Sequence, residues 1–261
     1  YQFSRRRTPL IYFLRNSMWA AGKWKSSALL EWAESFHPDV IFFAAGDYAF
    51  SYRVTLSLAQ YLQVPVVMWC ADDYYLSPPV SPFRRLQCRR LRKLARQVVR
   101  QSGSVVTISD KMGTDYARFF DVPVETVRIS SDPNPYALPA TQRTGIVYAG
   151  NLGLNRIAPL VELGRALRQA ALPGFSAIDV YSGEQRPAVL RQITEENGLH
   201  YCGRISASEV ERLLGRSKFL VFTESFDDKS VRRVKYSLST KISESLRSGA
   251  CLLAYGSPQI A

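Results

Sequence analysis

Short, largely apolar runs alternate along the chain with longer amphipathic stretches. The runs are of strand length, which is typical of strands buried on both faces of a parallel sheet. They predict strands at residues 40–45, 64–69, 105–108, 127–129, 146–149, 177–181, 199–202, 219–222 and 250–254. The apolar spacing between them predicts helices at residues 26–36, 49–62, 84–100, 110–120, 156–170, 187–197, 208–214 and 240–248. The alternation therefore predicts the α/β class with parallel sheets.

One proline-rich stretch interrupts the alternation at residues 130–144. It contains three prolines and no apolar periodicity, which is typical of a linker between domains. We therefore predict two tandem Rossmann-like, doubly wound domains at residues 1–135 and 145–261, joined by a linker at residues 136–144. Such folds bind ligands at the carboxyl ends of their strands, so the cleft between the domains is the expected ligand site.

The composition narrows the class of protein. With 46% hydrophobic and 21% charged residues, the 261-residue chain is typical of globular proteins, and its apolar runs are too short to span a membrane. Four cysteines without a C-x-x-C spacing, and only two histidines, disfavour a disulfide framework or a zinc site. We therefore expect reduced, mostly buried thiols in a cytoplasmic protein. The net charge of +12 favours an anionic partner.

The predicted helix at residues 240–248 begins with groups that suit a nucleotide. Ser239 and Thr240 can cap its first turn, and Lys241 and Glu244 lie three residues apart on one face. Hydroxyls, a cation and a carboxylate at a helix N-terminus, beside a parallel sheet, suit the phosphates and ribose of a nucleotide. The alternative is a capped helix with a salt bridge between Lys241 and Glu244.

A glycine-containing turn, YAGNLGLNR at residues 148–156, joins a predicted strand to a predicted helix. Gly150 and Gly153, on either side of Asn151, would let backbone amides approach an anion, and Arg156 adds a charge for a diphosphate. The glycines are three positions apart, so the turn is not G-x-G-x-x-G and does not favour a nicotinamide cofactor. The turn predicts phosphate binding, and the alternative is an ordinary strand-to-helix turn.

Acidic residues follow two predicted strands of the first domain. Asp72, Asp73 and Tyr74 come after the second strand, and Asp47 comes after the first. Carboxylates at the carboxyl end of a parallel strand could bind a metal or orient a sugar hydroxyl. They could equally form a solvated turn in which Asp73 caps a helix. The chain contains no Asp-x-Asp triplet. Its absence disfavours binding of a diphosphate through a metal ion held by such a triplet.

Two further pairs of polar residues are expected to be structural. His37 and His200 lie next to strands, where a packed or exposed structural histidine is expected rather than a catalytic base. Asp227 and Asp228 lie in a predicted irregular loop at residues 223–233 and are expected to be solvated. Neither pair is assigned to the site.

The predicted helix at residues 84–100 is strongly basic and contains no acid. Its cations are Arg84, Arg85, Arg89, Arg90, Arg92, Lys93, Arg96 and Arg100. Arg89, Arg90 and Lys93 are the candidates for contact with an anionic membrane surface. Nucleic acid is disfavoured because aromatic residues are not interleaved with the cations. The alternative is a packed helix with a solvated basic face.

The turn YAGNLGLNR and the segment STKISESLRSG at residues 239–249 resemble those of GT-B fold glycosyltransferases, specifically the family 4-like group (glycosyltransferase group 1). Residues 105–111, 178–183 and 201–206 resemble further strand ends of that group, so the likeness covers most of the chain. It implies two Rossmann-like domains facing a cleft, the first on the acceptor side and the second binding a nucleotide sugar. It also implies retaining transfer without a metal or other cofactor. The family's N-terminal glycine loop and closing C-terminal helix are missing, so we expect a fragment that lacks both termini.

The resemblance implies a role for each matching residue. Gly150 and Arg156 would hold the diphosphate together with Lys241, and Glu244 would accept hydrogen bonds from the ribose. Together with the residue patterns above, this predicts a donor site of Gly150, Asn151, Gly153, Arg156, Ser239, Thr240, Lys241 and Glu244, with Arg156 and Lys241 also catalytic. From the strand ends of the first domain we predict Asp72 as a further catalytic residue and Asp47, Asp73 and Tyr74 as acceptor contacts. The family often has two glutamates separated by seven residues, and Tyr236 occupies the position of the first. Its acceptor-domain histidine is also absent, with Asp72 or Asp73 nearest.

We therefore predict a hexosyltransferase that moves a sugar from a nucleoside-diphosphate sugar to a hydroxyl acceptor. The acceptor would be a glycan or lipid-linked glycan of polysaccharide biosynthesis at the inner membrane face. Two alternatives remain open. The departures from the family pattern also suit a non-catalytic GT-B-like partner subunit. A sugar-nucleotide epimerase on the same two-domain plan would release nucleotide and sugar without an acceptor.

Overall fold

The computed structural model describes residues 9–79 and 82–260. The chain folds into two compact units, Tyr1–Arg128 and Ile129–Ala261. The division falls before residue 135, the end predicted for the first domain, so residues 136–144 belong to the second unit. The sequence predicts a fragment that lacks both termini. That prediction concerns the two ends of the chain, and residues 1–8 and residue 261 lie outside the described residues.

The first unit is built on four parallel strands in the order β1-β2-β3-β4. The strands are β1 (Ile41–Ala44), β2 (Val66–Cys70), β3 (Ser104–Thr107) and β4 (Val124–Thr126), and the helices are α1 (Pro9–Ala21), α2 (Ser27–Glu34), α3 (Ala49–Leu62), α4 (Pro82–Ser102) and α5 (Asp110–Phe120). Parallel neighbours require a crossover between them, and helices α3, α4 and α5 supply it. The carboxyl ends of the strands therefore share one edge of the sheet.

The second unit is built on five parallel strands in the order β7-β6-β5-β8-β9. The strands are β5 (Thr144–Ala149), β6 (Ile178–Tyr181), β7 (Leu199–Gly203), β8 (Ser217–Thr223) and β9 (Cys251–Tyr255), and the helices are α6 (Ile157–Ala170), α7 (Pro187–Leu190), α8 (Ala207–Arg216), α9 (Asp228–Val234) and α10 (Thr240–Arg247). Buried residues on the two faces of the sheet form separate clusters around Tyr148 and Val147. The order places β8 directly beside β5.

The fold class is confirmed, and three predicted elements are wrong in place or extent. The predicted strand at residues 127–129 lies three residues earlier as β4, because Val127 and Ile129 are exposed rather than buried. The predicted helix at residues 187–197 stops at Leu190, and Thr194 then caps a separate 3-10 helix, Glu195–Asn197. The predicted strand at residues 250–254 is the half-exposed edge strand β9.

The predicted polar loop at residues 223–233 is also wrong, because it contains helix α9. Asp227, predicted only to be solvated, caps this helix by accepting a hydrogen bond from the Ser230 amide at 2.9 Å. Hydrogen bonds from Ser225 and Ser230 hold the pKa of Asp227 below its usual range. The cap supplies the acceptor that the first turn of a helix lacks.

The cysteines are free, but most are not buried as predicted. Cys70 alone of the four is buried, Cys88 and Cys202 are half-buried, and Cys251 is exposed on β9. Among the described residues, no helix combines the length and apolar character needed to span a bilayer.

Candidate functional site

The turn after β5 uses its two glycine amides within the protein. The Gly150 N–H donates to the Tyr181 carbonyl at 2.9 Å and so extends the pairing of β5 with β6. The Gly153 N–H donates to the side-chain oxygen of Asn151. These two amides are therefore occupied, contrary to the expectation that they bind phosphate. Asn151 shapes the turn instead of facing a ligand through that oxygen.

Two consecutive residues of the same turn adopt left-handed backbone conformations. Leu154 and Asn155 both have φ of 55°. Asparagine tolerates this region, whereas leucine is strained there by about 1–2 kcal/mol. The Asn155 amide lies 3.5 Å from both the Ser225 hydroxyl and the Asp227 carboxylate, which joins the turn to the segment after β8. The turn delivers Arg156 to the start of α6, at the edge where the strands end.

Arg156 forms a buried ion pair with Glu224, the residue that directly follows β8. Arg156 Nη2 lies 2.7 Å from Glu224 Oε1, and the two side chains are 16% and 5% exposed. Arg156 Nε and Glu224 Oε2 are also buried, and neither has a hydrogen-bond partner among the described residues. An unsatisfied buried polar atom is costly, so its persistence points to a ligand group or a water at this place.

Sequence reasoning missed Glu224. The signal was available, because Glu224 follows an apolar strand in the same way as Asp72 and Asp73 do. The sequence predicts an irregular loop at residues 223–233, and the ion pair joins residues 68 positions apart. The pairing depends on β8 lying next to β5, which no local pattern shows.

Lys241 reaches from α10 across to the turn after β5. A Cβ atom on Gly150 would collide with the Lys241 ammonium, so only glycine admits the lysine in this position. The ammonium lies 5.5 Å from the centroid of the Tyr148 ring and forms no hydrogen bond or ion pair with any described residue. Burial and the neighbouring Arg156 lower the pKa of Lys241 to about 8. A cation held half-buried beside a second cation is prepared to receive an anion.

The N-terminus of α10 is placed as the sequence predicted, but its first turn is not capped by a side chain. Ser239 directly precedes the helix, and its hydroxyl makes no capping hydrogen bond to a backbone amide of the first turn. Thr240 is exposed. Glu244 and Lys241 line a cavity of about 20 Å³ beneath the helix, large enough for one water. Among the described residues, Lys241 and Glu244 form no salt bridge with each other, although the alternative interpretation of the sequence expected one. The Ile242 amide donates to the Ser239 carbonyl at 3.0 Å. Among the described residues, the Ser239 and Thr240 hydroxyls remain available to a ligand.

Tyr236 stands where the resembling family has its first glutamate. The side chain is 6% exposed. Its hydroxyl accepts a hydrogen bond from the Lys235 ammonium at 2.9 Å. A buried phenol thus occupies the position of a carboxylate, and the departure noted in the sequence is a difference in chemistry.

In the first unit, Asp73 is used to hold the turn after β2. Its carboxylate accepts hydrogen bonds from the Tyr75, Leu76 and Ser77 amides, from the Ser77 hydroxyl and from the Tyr116 hydroxyl, at 2.6–3.0 Å. This is the turn-forming role that the sequence left open as an alternative. The bonds tie the turn to helix α5 through the buried Tyr116.

The other acidic candidates of the first unit lie at the same sheet edge. Asp72 is exposed, and the Tyr74 hydroxyl donates to it at 3.4 Å. Asp47 lies 3.9 Å from Arg84 of α4. Burial, followed by the charges of Asp72 and Asp47, raises the pKa of Tyr74 to about 12. Asp47 and Asp72 thus both lie near enough to Tyr74 for their charges to affect it.

The basic helix α4 is less uniformly solvated than its sequence suggests. Besides the pair between Arg84 and Asp47, Arg92 Nε donates to the Tyr75 carbonyl at 2.6 Å. Arg96 lies 4.5 Å from the centroid of the Phe119 ring. The three membrane candidates Arg89, Arg90 and Lys93 are exposed. The free charge is therefore concentrated on those three and on Arg85 and Arg100, which are also exposed.

Solved structures resemble this chain, although no protein-family model and no curated protein sequence matches it. HepE from Anabaena, solved with UDP, is 16% identical with a TM-score of 0.57 over 86% of this chain and 62% of HepE. TarM is 14% identical with a TM-score of 0.60 over 86% of this chain and 43% of TarM. A UDP-forming α,α-trehalose-phosphate synthase from Burkholderia vietnamiensis is 11% identical with a TM-score of 0.56 over 94% of this chain and 62% of the synthase.

These three proteins are GT-B glycosyltransferases, and the chain spans less than two thirds of the length of each. Their sequences are too different from this one to transfer an activity, but the structural likeness extends over most of the chain and includes both parallel sheets. The chain therefore has the fold of the GT-B glycosyltransferases.

Proposed function

We propose that the protein is a glycosyltransferase that transfers a sugar from a nucleoside-diphosphate sugar to a hydroxyl acceptor. The observation that carries the proposal is the half-buried Lys241 ammonium, which forms no salt bridge among the described residues and lies against Gly150 at the strand ends of the second sheet. Arg156, with its unsatisfied Nε, lies beside it. Structures of HepE with UDP and with UDP-glucose support a nucleotide-sugar ligand on this fold.

The chemistry follows from where charge develops. The anomeric C–O bond breaks, and the diphosphate leaves with the bonding electrons. The acceptor oxygen forms the new bond, and its proton passes to the released diphosphate or to solvent. Lys241 and Arg156 would stabilise the negative charge on the leaving diphosphate without a metal ion. Glu244, three residues after Lys241, would accept hydrogen bonds from the ribose hydroxyls. Retention of configuration and a glycan or lipid-linked glycan acceptor complete the proposal.

A nucleotide screen tests the proposal. We expect one of UDP, GDP and ADP to raise the melting temperature of the protein selectively, because a ligand that binds only the folded state stabilises it. Glu244→Ala should weaken the shift by removing the ribose contact. Gly150→Ala should weaken it by displacing the Lys241 ammonium. Glu196→Ala, at an exposed carboxylate of the same unit, is the matched control and should behave as the unchanged protein.

The result that would sink the proposal is the absence of a shift with any nucleotide. That outcome favours a non-catalytic GT-B-like subunit, which the buried Tyr236 also suits. If a nucleotide binds, turnover separates the two enzymatic alternatives. A transferase releases the nucleoside diphosphate in proportion to added acceptor, whereas an epimerase releases nucleotide and sugar without one.

We further propose that the first unit docks on an anionic membrane, where a lipid-linked acceptor would be found. Helix α4 exposes Arg89, Arg90 and Lys93, and its Leu86 is 64% exposed. Helix α1 exposes an apolar stripe at helical spacing: Leu10, Phe13, Leu14 and Met18, which are 63%, 50%, 52% and 75% exposed. Exposed apolar residues together with clustered cations suit the interface of a bilayer that contains anionic lipids.

Vesicle co-sedimentation tests the docking proposal. Reversing Arg89, Arg90 and Lys93 to glutamate should abolish binding to vesicles that contain phosphatidylserine. Reversing three exposed cations of α9, Lys229, Arg232 and Arg233, changes the net charge equally and should preserve binding. Equal loss in both triple variants would show an effect of net charge alone and would contradict a docking face on the first unit.

A further inference from the structure

Three potential metal ligands meet on neighbouring strands β6 and β7, away from the candidate nucleotide site. His200 Nδ1 lies 3.1 Å from Asp179 Oδ1 and 3.6 Å from Cys202 Sγ. The three ligand atoms all lie within 4.8 Å of one another. β7 is an edge strand on the opposite side of the sheet from β8 and β9. The cluster therefore lies apart from Glu224 and α10.

The pairing of β6 with β7 brings the three residues to one face of the sheet. Asp179 is the register partner of His200, so their side chains share a face. Cys202 is two residues after His200 on β7, and side chains two residues apart on a strand also share a face. The register shifts beyond Val180, where the next residue of β6 pairs with Gly203, and the thiol lies beside the imidazole.

The spacing suits a tetrahedral metal ion. Zinc binds nitrogen and oxygen ligands at about 2.0–2.2 Å and thiolate at about 2.3 Å, so its tetrahedral ligand atoms are separated by roughly 3.3–3.6 Å. The two separations measured from His200 are close to that range. One thiolate and one carboxylate would balance the charge of a divalent cation. An imidazole and a thiolate select zinc over magnesium or calcium.

We propose that Asp179, His200 and Cys202 bind a zinc-class divalent cation, with a water molecule as the fourth ligand. Binding forms the metal–sulfur bond and releases the thiol proton to solvent. The cation would fasten the edge strand β7 to β6 and stabilise the second unit. The sequence disfavoured a zinc site because it contains only two histidines and no C-x-x-C; the ligands instead come from two strands and meet through their pairing.

Metal titration of the reduced full chain tests this proposal independently of any nucleotide. We expect one equivalent of Zn²⁺ by competition with a chromophoric chelator, a thiolate-to-metal charge-transfer band with Co²⁺, and no competition by Mg²⁺. His200→Ala and Cys202→Ser should each weaken binding by about 100-fold, and Cys202→Ser should remove the band. His37→Ala and Cys251→Ser are matched controls from the same chain and should change neither.

The melting temperature gives a second readout. Zn²⁺ should raise it in the unchanged protein and in both control variants, and a chelator should reverse the rise. Each ligand variant should melt as the metal-free protein does, which shows that it folds. Binding that persists in His200→Ala and Cys202→Ser, or that is lost in Cys251→Ser, would overturn the proposal, as would the absence of Zn²⁺ binding at millimolar concentration.

Discussion

The two sheets end in carboxyl edges that look alike in sequence and differ in what their charges do. In the first unit, Asp73 follows β2 and its carboxylate accepts five hydrogen bonds from nearby groups. In the second unit, Glu224 follows β8 and pairs with Arg156 through one oxygen, while the other oxygen is buried without a partner among the described residues. Hydrogen bonds within the unit fill the accepting capacity of the Asp73 carboxylate, whereas one oxygen of Glu224 lacks a partner among the described residues.

The difference shows that position at a strand end does not by itself make a residue functional. The number of hydrogen bonds already made is the better guide, because a saturated carboxylate has nothing left for a ligand. Lys241, a cation, supports the same point. Its ammonium lies beside Arg156 and Gly150 and forms no salt bridge among the described residues.

The largest expected effect comes from breaking the buried pair of the second unit. Arg156→Ala leaves Glu224 buried and unpaired, which should cost about 3–5 kcal/mol of the free energy of unfolding. The double variant Arg156→Ala/Glu224→Ala should cost less than the sum of the two single variants. Removing the exposed pair of Arg128 and Asp110, which are 58% and 71% exposed, should cost less than about 1 kcal/mol.

Urea unfolding can assign these effects to a unit. All four tryptophans, Trp19, Trp24, Trp32 and Trp69, lie in the first unit. Tryptophan fluorescence therefore follows the first unit, and far-UV circular dichroism follows both. Arg156→Ala should lower a transition seen by circular dichroism and leave the fluorescence midpoint unchanged. A variant as stable as the unchanged protein would show that the pair is not buried as described.

A smaller loss of stability is expected at the saturated carboxylate. Asp73→Ala removes the acceptor of the Tyr116 hydroxyl and of three turn amides, which should cost about 2–3 kcal/mol. This loss should appear in the tryptophan fluorescence transition. Asp72→Ala, at the exposed neighbour, should change stability by less than about 0.5 kcal/mol. Equal effects of the two substitutions would contradict the distinction drawn between them.

The smallest effect is a pH dependence of nucleotide affinity. Burial lowers the pKa of Lys241 to about 8 in the folded protein, below its value of about 10.4 in an unfolded chain. The ammonium is therefore charged below pH 8, and its charge is lost as the pH rises through that value. Affinity for a nucleoside diphosphate should fall up to about tenfold per pH unit above pH 8. Lys241→Arg keeps its charge and should show a flat profile in the same calorimetric series.

Protein stability should have the opposite dependence. The unfolded chain binds more protons than the folded protein between pH 8 and about 10.4, because the pKa of Lys241 is lower in the folded state. The penalty for burying the ammonium is therefore complete below pH 8 and is relieved as the pH rises. Lys241→Met should remove this contribution.

The apolar pattern predicted both sheets because strands buried in parallel sheets are apolar throughout. It was wrong at residues 127–129, where Val127 and Ile129 are apolar but exposed. Hydrophobicity alone does not tell an exposed apolar residue from a buried one. Local patterns also placed the turn at Gly150 and the start of α10 at Thr240.

The contacts that the sequence could not predict depend on which strands lie next to each other in the sheet. Arg156 meets Glu224 because β8 lies beside β5. Asp179 meets His200 and Cys202 because β6 lies beside β7 and Asp179 is the register partner of His200. The occupied amides of Gly150 and Gly153 likewise follow from hydrogen bonds made only in the folded turn. Strand order and register are set by the whole chain.

The most direct test of the central claim is titration calorimetry that compares the nucleoside diphosphate selected by the screen with its parent nucleoside. If Lys241 and Arg156 hold the diphosphate, the nucleoside diphosphate should bind the unchanged protein at least about tenfold more tightly than the nucleoside. Lys241→Met should remove most of that difference and leave the affinity for the nucleoside unchanged. Equal affinities for the two ligands, or a Lys241→Met variant that binds the nucleoside diphosphate as tightly as the unchanged protein, would contradict the account.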